Sequence, residues 1–299
     1  MESSGREDVA GKDSSRDRMG LWLLLGPMAV YLFIWRFLPL FYTGWLSLTS
    51  WNIGRGAPPQ FTGFDNYLRL VGDARFHAAL KTSATFMIGA TTLEVVLGVA
   101  LALLVNRSFR GQTFVHGILI VPMITSPVAV GTIWYLLYNS TIGPLTYVVE
   151  RLGFGTQDWL GATATALPAI IVADVWEWTP FVFLLALSGL QGIPEAVIEA
   201  ARIDGAGGWH LFRFVTLPML RGVIVSAGIL RAMDAFKIFD TIFIMTGGGP
   251  GRSTESASLF VYRTAFTQFE FGYAAAMVIV VLGLTASLYW LYTRIPQEV

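Results

Sequence analysis

The sequence predicts an all-α membrane protein with six transmembrane helices. Hydrophobic residues make up 54% of its 299 residues and charged residues only 13%, about half the charged share of a soluble domain. The mean hydropathy is +0.59. Six stretches reach the roughly 20 mostly apolar residues that a hydrocarbon core about 30 Å thick requires. They lie near residues 21–46, 82–105, 114–138, 166–190, 222–246 and 273–293. A lipid-exposed backbone must satisfy its own hydrogen bonds, so each is expected as a helix.

Several function classes fall away on composition. The 20 Lys and Arg balance the 20 Asp and Glu, so no basic field points to nucleic acid. Cysteine is absent, which removes disulfides, thiolate metal sites and thiol chemistry, and His77, His116 and His210 are too scattered for a metal centre. No metal ligand set is expected.

Residues 1–20 are polar and small, with Arg6, Lys12, Arg16 and Arg18, and read as a disordered cytoplasmic tail ahead of the membrane domain, 21–299. Gly11-Lys12 lacks the upstream glycine and the following hydroxyl of a phosphate loop, so ATP hydrolysis is not expected of this chain. With both termini cytoplasmic, ten Lys and Arg fall inside and seven outside, a positive-inside bias of the right sign. Segments 47–80 and 247–272 are rich in Gly, Pro and aromatics. Gly247-Gly-Gly-Pro250 reads as an outer turn.

Residues 191–221 read as two short amphipathic helices around a glycine hinge. Pro194 suits a first helical turn and Glu195 the positive end of the dipole. Val197, Ala200, Ala201 and Ile203 form a face of small and medium side chains, Gly205, Gly207 and Gly208 permit a sharp turn, and Pro218 is expected to end the second helix. Amphipathicity alone equally fits a helix pair lying on lipid headgroups.

Charges at membrane depth are costly and need partners. Arg231, Asp234, Lys237 and Asp240 recur every three residues with alternating sign, which on one continuous helix would form a self-neutralising ladder. Phe236 and Phe239 lie among them, as an aromatic face suited to the apolar face of a sugar ring. Asp174 and Glu177, one turn apart, have the residue types of a glycosidase acid and base, but beside Trp176 and Trp178 they read as an interfacial belt. Glu94 sits mid-span, with a partner helix as its natural hydrogen-bond donor.

The order Glu199-Ala-Ala-Arg-Ile-Asp-Gly205, followed by an aromatic-rich helix and Leu217-Pro218, resembles the EAA loop of membrane subunits of binding-protein-dependent ABC importers. Phe239-Asp-Thr-Ile-Phe-Ile-Met-Thr-Gly-Gly-Gly-Pro-Gly-Arg-Ser-Thr254 and Phe61-Thr-Gly-Phe-Asp-Asn-Tyr67 are similar to the carbohydrate, maltose-type branch. The resemblance implies an ABC type I importer permease fold in the bacterial inner membrane. It further implies a second homologous permease, two cytoplasmic ABC ATPases that hold ATP and Mg, an extracytoplasmic solute-binding protein, and a sugar or polyol as solute. This chain itself would carry no cofactor.

By the same resemblance, Glu199, Ala200, Ala201, Asp204 and Gly205 would form the ATPase-coupling element. Trp178, Phe181, Met233, Phe236, Lys237 and Asp240 would line the substrate path. Lys237 and Asp240 depart from the neutral amides of some family members, which keeps glycerol phosphate or another polar solute open. An ion-coupled secondary transporter would be expected to show broken helices and internal duplication, and would need no docking loop. A membrane enzyme would need a nucleophile, base and orienter, which the sequence does not assemble.

Overall fold

The computed structural model describes residues 22–56, 58–107 and 109–294, so the tail expected at 1–20 lies outside the described residues. Helix α1 spans Trp22–Ser47. A two-stranded antiparallel ribbon, β1 (Thr49–Ser50) with β2 (Gln60–Phe61), and the short helix α2 (Asp65–Gly72) lead to α3, Ala74–Val105. Then come α4 (Gln112–Ile124), α5 (Pro127–Leu137), α6 (Pro144–Val149), α7 (Ala166–Gln191) and α8 (Glu195–Ile203). Helix α9 runs from Gly208 to Ala235, followed by α10 (Asp240–Met245), α11 (Ala257–Phe266) and α12 (Phe271–Thr293).

Five of these helices are long and apolar enough to cross a membrane, and a sixth span results if α4 and α5 count as one. That span, expected as continuous over 114–138, is bent by 96°. Pro127 explains the bend. A residue before proline is driven out of the helical region, and Ser126 sits at ψ 138° with Thr125 at ψ 140° beside it. Helix α3 starts earlier than hydropathy implied because Asp73 caps it, accepting from the backbone N–H of Arg75 at 2.9 Å and of Phe76 at 3.1 Å.

Two further expectations are corrected. Pro218 does not end a helix. The chain runs on through α9, and a widened turn over Phe212–Thr216, in which Leu217 N–H reaches the Phe212 carbonyl, absorbs the proline's missing donor. The helix instead ends at Ala235, so the expected fifth span 222–246 is two pieces, and Arg231 and Asp234 lie on a different helix from Asp240. The freed carbonyls of Ile238 and Lys237 accept from the Ser256 hydroxyl at 2.8 Å and the Ser258 hydroxyl at 3.0 Å. Those two serines satisfy the broken backbone internally, as a membrane protein requires.

Helix α3 lies along α7, and α9 packs on both. At Gly98 the approach is so close that a Cβ would stand 2.7 Å from Val182 Cβ, so only glycine fits. One apolar cluster gathers Phe86, Ile170, Ala235 and Ile242; another gathers Val99, Phe183, Leu220 and Ala227. A third ties α11 and α12 to α3 through Phe76, Phe260 and Met277.

Beside that third cluster, Glu255 is buried and accepts two hydrogen bonds from Arg75, each 2.8 Å, and one from Arg263. Asp73 accepts from the Tyr273 hydroxyl at 2.5 Å. Burial alone would raise the Glu255 carboxyl, but the two guanidinium groups outweigh it and hold the group below its ordinary value. A carboxylate depressed in the fold contributes stability that is full above the ordinary glutamate value of about 4.3 and is lost as pH falls through the lowered value. Glu255→Gln is therefore expected to lower the unfolding temperature at neutral pH. Thermal melts in detergent across an acid series check this: the gap to wild type should narrow steadily toward low pH, and a gap of constant size would contradict it.

Candidate functional site

The centre of the molecule holds a buried charge network. Arg231 on α9 donates to both Glu94 oxygens on α3, at 2.7 and 2.9 Å, to Asp174 on α7 at 2.8 Å and to Asp234 one turn along at 2.9 Å. The Arg231 side chain is 3% exposed, Glu94 0% and Asp174 3%, whereas Asp234 is 60% exposed. The Trp178 ring covers the guanidinium at 4.7 Å. One cation thus ties three helices together with charge-assisted bonds, and only its last partner meets water.

The ladder expected along one helix is therefore replaced by pairing between helices. Arg231 and Asp234 do pair, while Lys237 falls in the break after Ala235 and Asp240 opens the next helix. The interfacial belt expected for Asp174 and Glu177 is also corrected: both are buried, Asp174 against Arg231. Both Glu177 oxygens are buried without a hydrogen-bond partner in the fold.

This network borders a cavity of about 400 Å³. Trp178, Phe181, Lys237 and Asp240, expected on sequence grounds, line it, together with Asp174, Glu177, Arg231, Asp234 and Phe239. Met233 is half-buried and not among its lining residues. Phe236 is turned into the third apolar cluster with Phe76, Phe260 and Met277. Sequence reasoning gave Glu94, Asp174 and Glu177 no part in this site. The signal was present: opposite charges at membrane depth on three separate helices each need a partner, and each other is what they have.

At the opposite end of α7 and α9, none of the residues of α8 is buried. The helix ends in a Schellman turn: Ala206 N–H donates to Ala201 O at 2.9 Å and Gly205 N–H to Arg202 O at 3.1 Å, with Gly205 at φ +86°. Glu199, Ala200 and Asp204 are exposed and Ala201 half-buried, and Ile203 is 86% exposed.

Residues 94–299 match the family described as binding-protein-dependent transport system inner membrane component. The chain belongs to this family. It is 35% identical over 275 residues to a probable ABC transporter permease protein of Sinorhizobium fredii, covering 90% of this chain and 88% of the relative. Its identity to the trehalose/maltose transport system permease protein of Thermococcus litoralis is 34% over 276 residues, 92% of this chain and 93% of that one. The crystal structure of a bacterial ABC transporter involved in the import of the acidic polysaccharide alginate contains a chain of the same fold, with a TM-score of 0.81 at 21% identity, over 96% of this chain and 99% of that one. The fold is thus that of an ABC type I importer permease, and the protein is a multi-pass inner-membrane permease component.

Within a permease of this kind, the Arg231 network is a structural tie that borders the cavity. Arg231→Met leaves Glu94 and Asp174 buried without a counter-charge, a change that costs about 3–5 kcal/mol in comparable buried pairs. A large drop in unfolding temperature of the purified chain is expected. Adding Glu94→Gln and Asp174→Asn should recover most of it, and a single variant as stable as wild type would contradict the tie.

Proposed function

We propose that this permease component forms one half of the pore of an ATP-driven importer for a neutral sugar or related polyol. The observation that carries the solute class is the 34% identity, over 92% of the chain, with a trehalose/maltose permease. The cavity is consistent with that class. Trp178, Phe181 and Phe239 offer ring faces to the apolar side of a pyranose, and the unpaired Glu177 oxygens, with Asp240 and Lys237, offer partners to its hydroxyls.

Glycerol phosphate fits less well. Four carboxylates line the cavity against two cations, and the guanidinium of Arg231 is already held by Glu94, Asp174 and Asp234. An anion there meets net like charge.

In this reading α8 is the coupling helix. Glu199 pairs with a basic residue of a cytoplasmic ATPase, Ala200 and Ala201 let the two chains approach closely, and Asp204 with Gly205 forms the turn that passes motion into α9. Both termini then lie on the cytoplasmic side. Two ATPases bind ATP and Mg and this chain binds neither; a second homologous permease completes the pore, and an extracytoplasmic binding protein delivers solute. Closure of the ATPase dimer favours the outward-open pore, and coupling follows from the different affinities of the two pore states for nucleotide and solute. No bond in the solute is made or broken.

Isolation of the tagged chain in mild detergent, with mass spectrometry of what accompanies it, tests the assembly. A second six-span chain and an ATPase are expected; a chain recovered alone that still moves solute along an ion gradient would make it a secondary transporter. Gly205→Val tests the coupling helix. The side chain is strained at φ +86°, yet nothing lies within 4 Å of a Cβ there, so assembly should survive while ATP hydrolysis continues with little transport. Unchanged transport would remove Gly205 from the coupling path.

A further inference from the structure

The cavity has an aromatic continuation that reaches beyond the Phe239–Thr254 motif. From Phe239 at its wall, rings follow one another without a gap: Phe239 to Tyr262 at 5.2 Å, Phe239 to Phe243 at 5.4 Å and Phe243 to Tyr262 at 5.7 Å. Tyr262 then meets Phe266 at 5.3 Å, Phe266 meets Phe271 at 5.9 Å and Phe271 meets Trp51 at 5.5 Å. Trp51 borders a second pocket of about 290 Å³ whose wall includes Asn52, Gln60, Arg69 and Glu270. Six rings therefore join two pockets that each carry charged side chains in their walls, and those rings come from four separate parts of the chain.

Their exposure sets them apart from core aromatics. Phe243, Tyr262 and Phe266 are exposed, and the other three are half-buried. Ser258, Tyr262 and Phe266 are four residues apart on α11 and so share one face. That face begins beside Lys237, because the Ser258 hydroxyl donates to the Lys237 carbonyl at 3.0 Å. Lys237, Asp234 and Asp240 are all exposed there, and three exposed charges do not face hydrocarbon.

We propose that this strip of rings is the saccharide's route between the second pocket and the cavity, an inference that rests on the carbohydrate reading above. The negative face of each ring attracts the weakly positive C–H face of a sugar. Successive contacts of similar, modest strength suit passage, since a conducting site must bind well enough to admit its cargo and weakly enough to release it. Charged pockets at both ends engage the hydroxyls that the rings leave free.

The test uses the assembled transporter, with its binding protein, in liposomes, and reads initial uptake of labelled maltose, trehalose and glucose per assembled complex. Tyr262→Leu and Phe266→Leu keep apolar volume but remove the ring; Tyr262→Trp and Phe266→Trp keep a ring. The leucine variants are expected to lose about tenfold in uptake, the rate equivalent of one lost ring contact, while the tryptophan variants stay within about threefold of wild type. Leucine variants that transport like wild type overturn the route. So do leucine and tryptophan variants that fail alike, the pattern of a face that packs against lipid or the second permease. Should wild type accumulate none of the three saccharides, the carbohydrate reading itself falls, and the route with it.

Discussion

Arg231 is the residue around which the rest of this structure is arranged. Its side chain is only 3% exposed, so its charge must be met within the protein, and it is met by Glu94 and Asp174 from two other helices. On α3, Glu94 lies between Ala90 of one apolar cluster and Val99 of the next; on α9, Arg231 lies between Ala227 and Ala235 of the same two. The network thus sits where two apolar cores meet, and it fixes the register of α3, α7 and α9 in a way that interchangeable aliphatic contacts would not. Hydrophobic packing holds these helices together; the guanidinium specifies how they are aligned.

The same arrangement creates the cavity. Because α9 stops at Ala235, one turn beyond Arg231, the chain turns away and leaves room between α7 and the start of α10. Breaking a helix in a membrane protein exposes backbone carbonyls, and Ser256 and Ser258 supply the hydroxyls that satisfy them. Glu255, next in sequence, is fixed by Arg75 and Arg263 and so anchors those serines to α3. The polar bonds of the Gly247–Ser258 segment and the charge network serve one end: an open, polar wall in an otherwise apolar bundle.

Much of the fold was legible in the residues. Composition and six apolar windows gave the class, and the Glu199 to Gly205 order gave the family, since that segment must present small residues and a left-handed glycine whatever surrounds it. Local chemistry also held for α8, where Pro194 stands just ahead of the helix, Glu195 opens it and Gly205 ends it. The bend at Ser126 was equally local, readable from Pro127. The end of α9 was not. No proline or glycine marks Ala235, and the hydroxyls that stabilise the break come from 18 and 21 residues downstream.

Sequence by itself determined that this chain crosses a membrane as a helical permease of the binding-protein-dependent importer family. Hydropathy, helix caps and turn preferences act over a few residues, and they are present in the chain before it folds. Only the tertiary structure decided which charges pair, which aromatic rings face the cavity and which, like Phe236, turn into the core. Those choices depend on bonds such as Arg231 to Glu94, whose partners stand 137 residues apart and meet only when the helices pack.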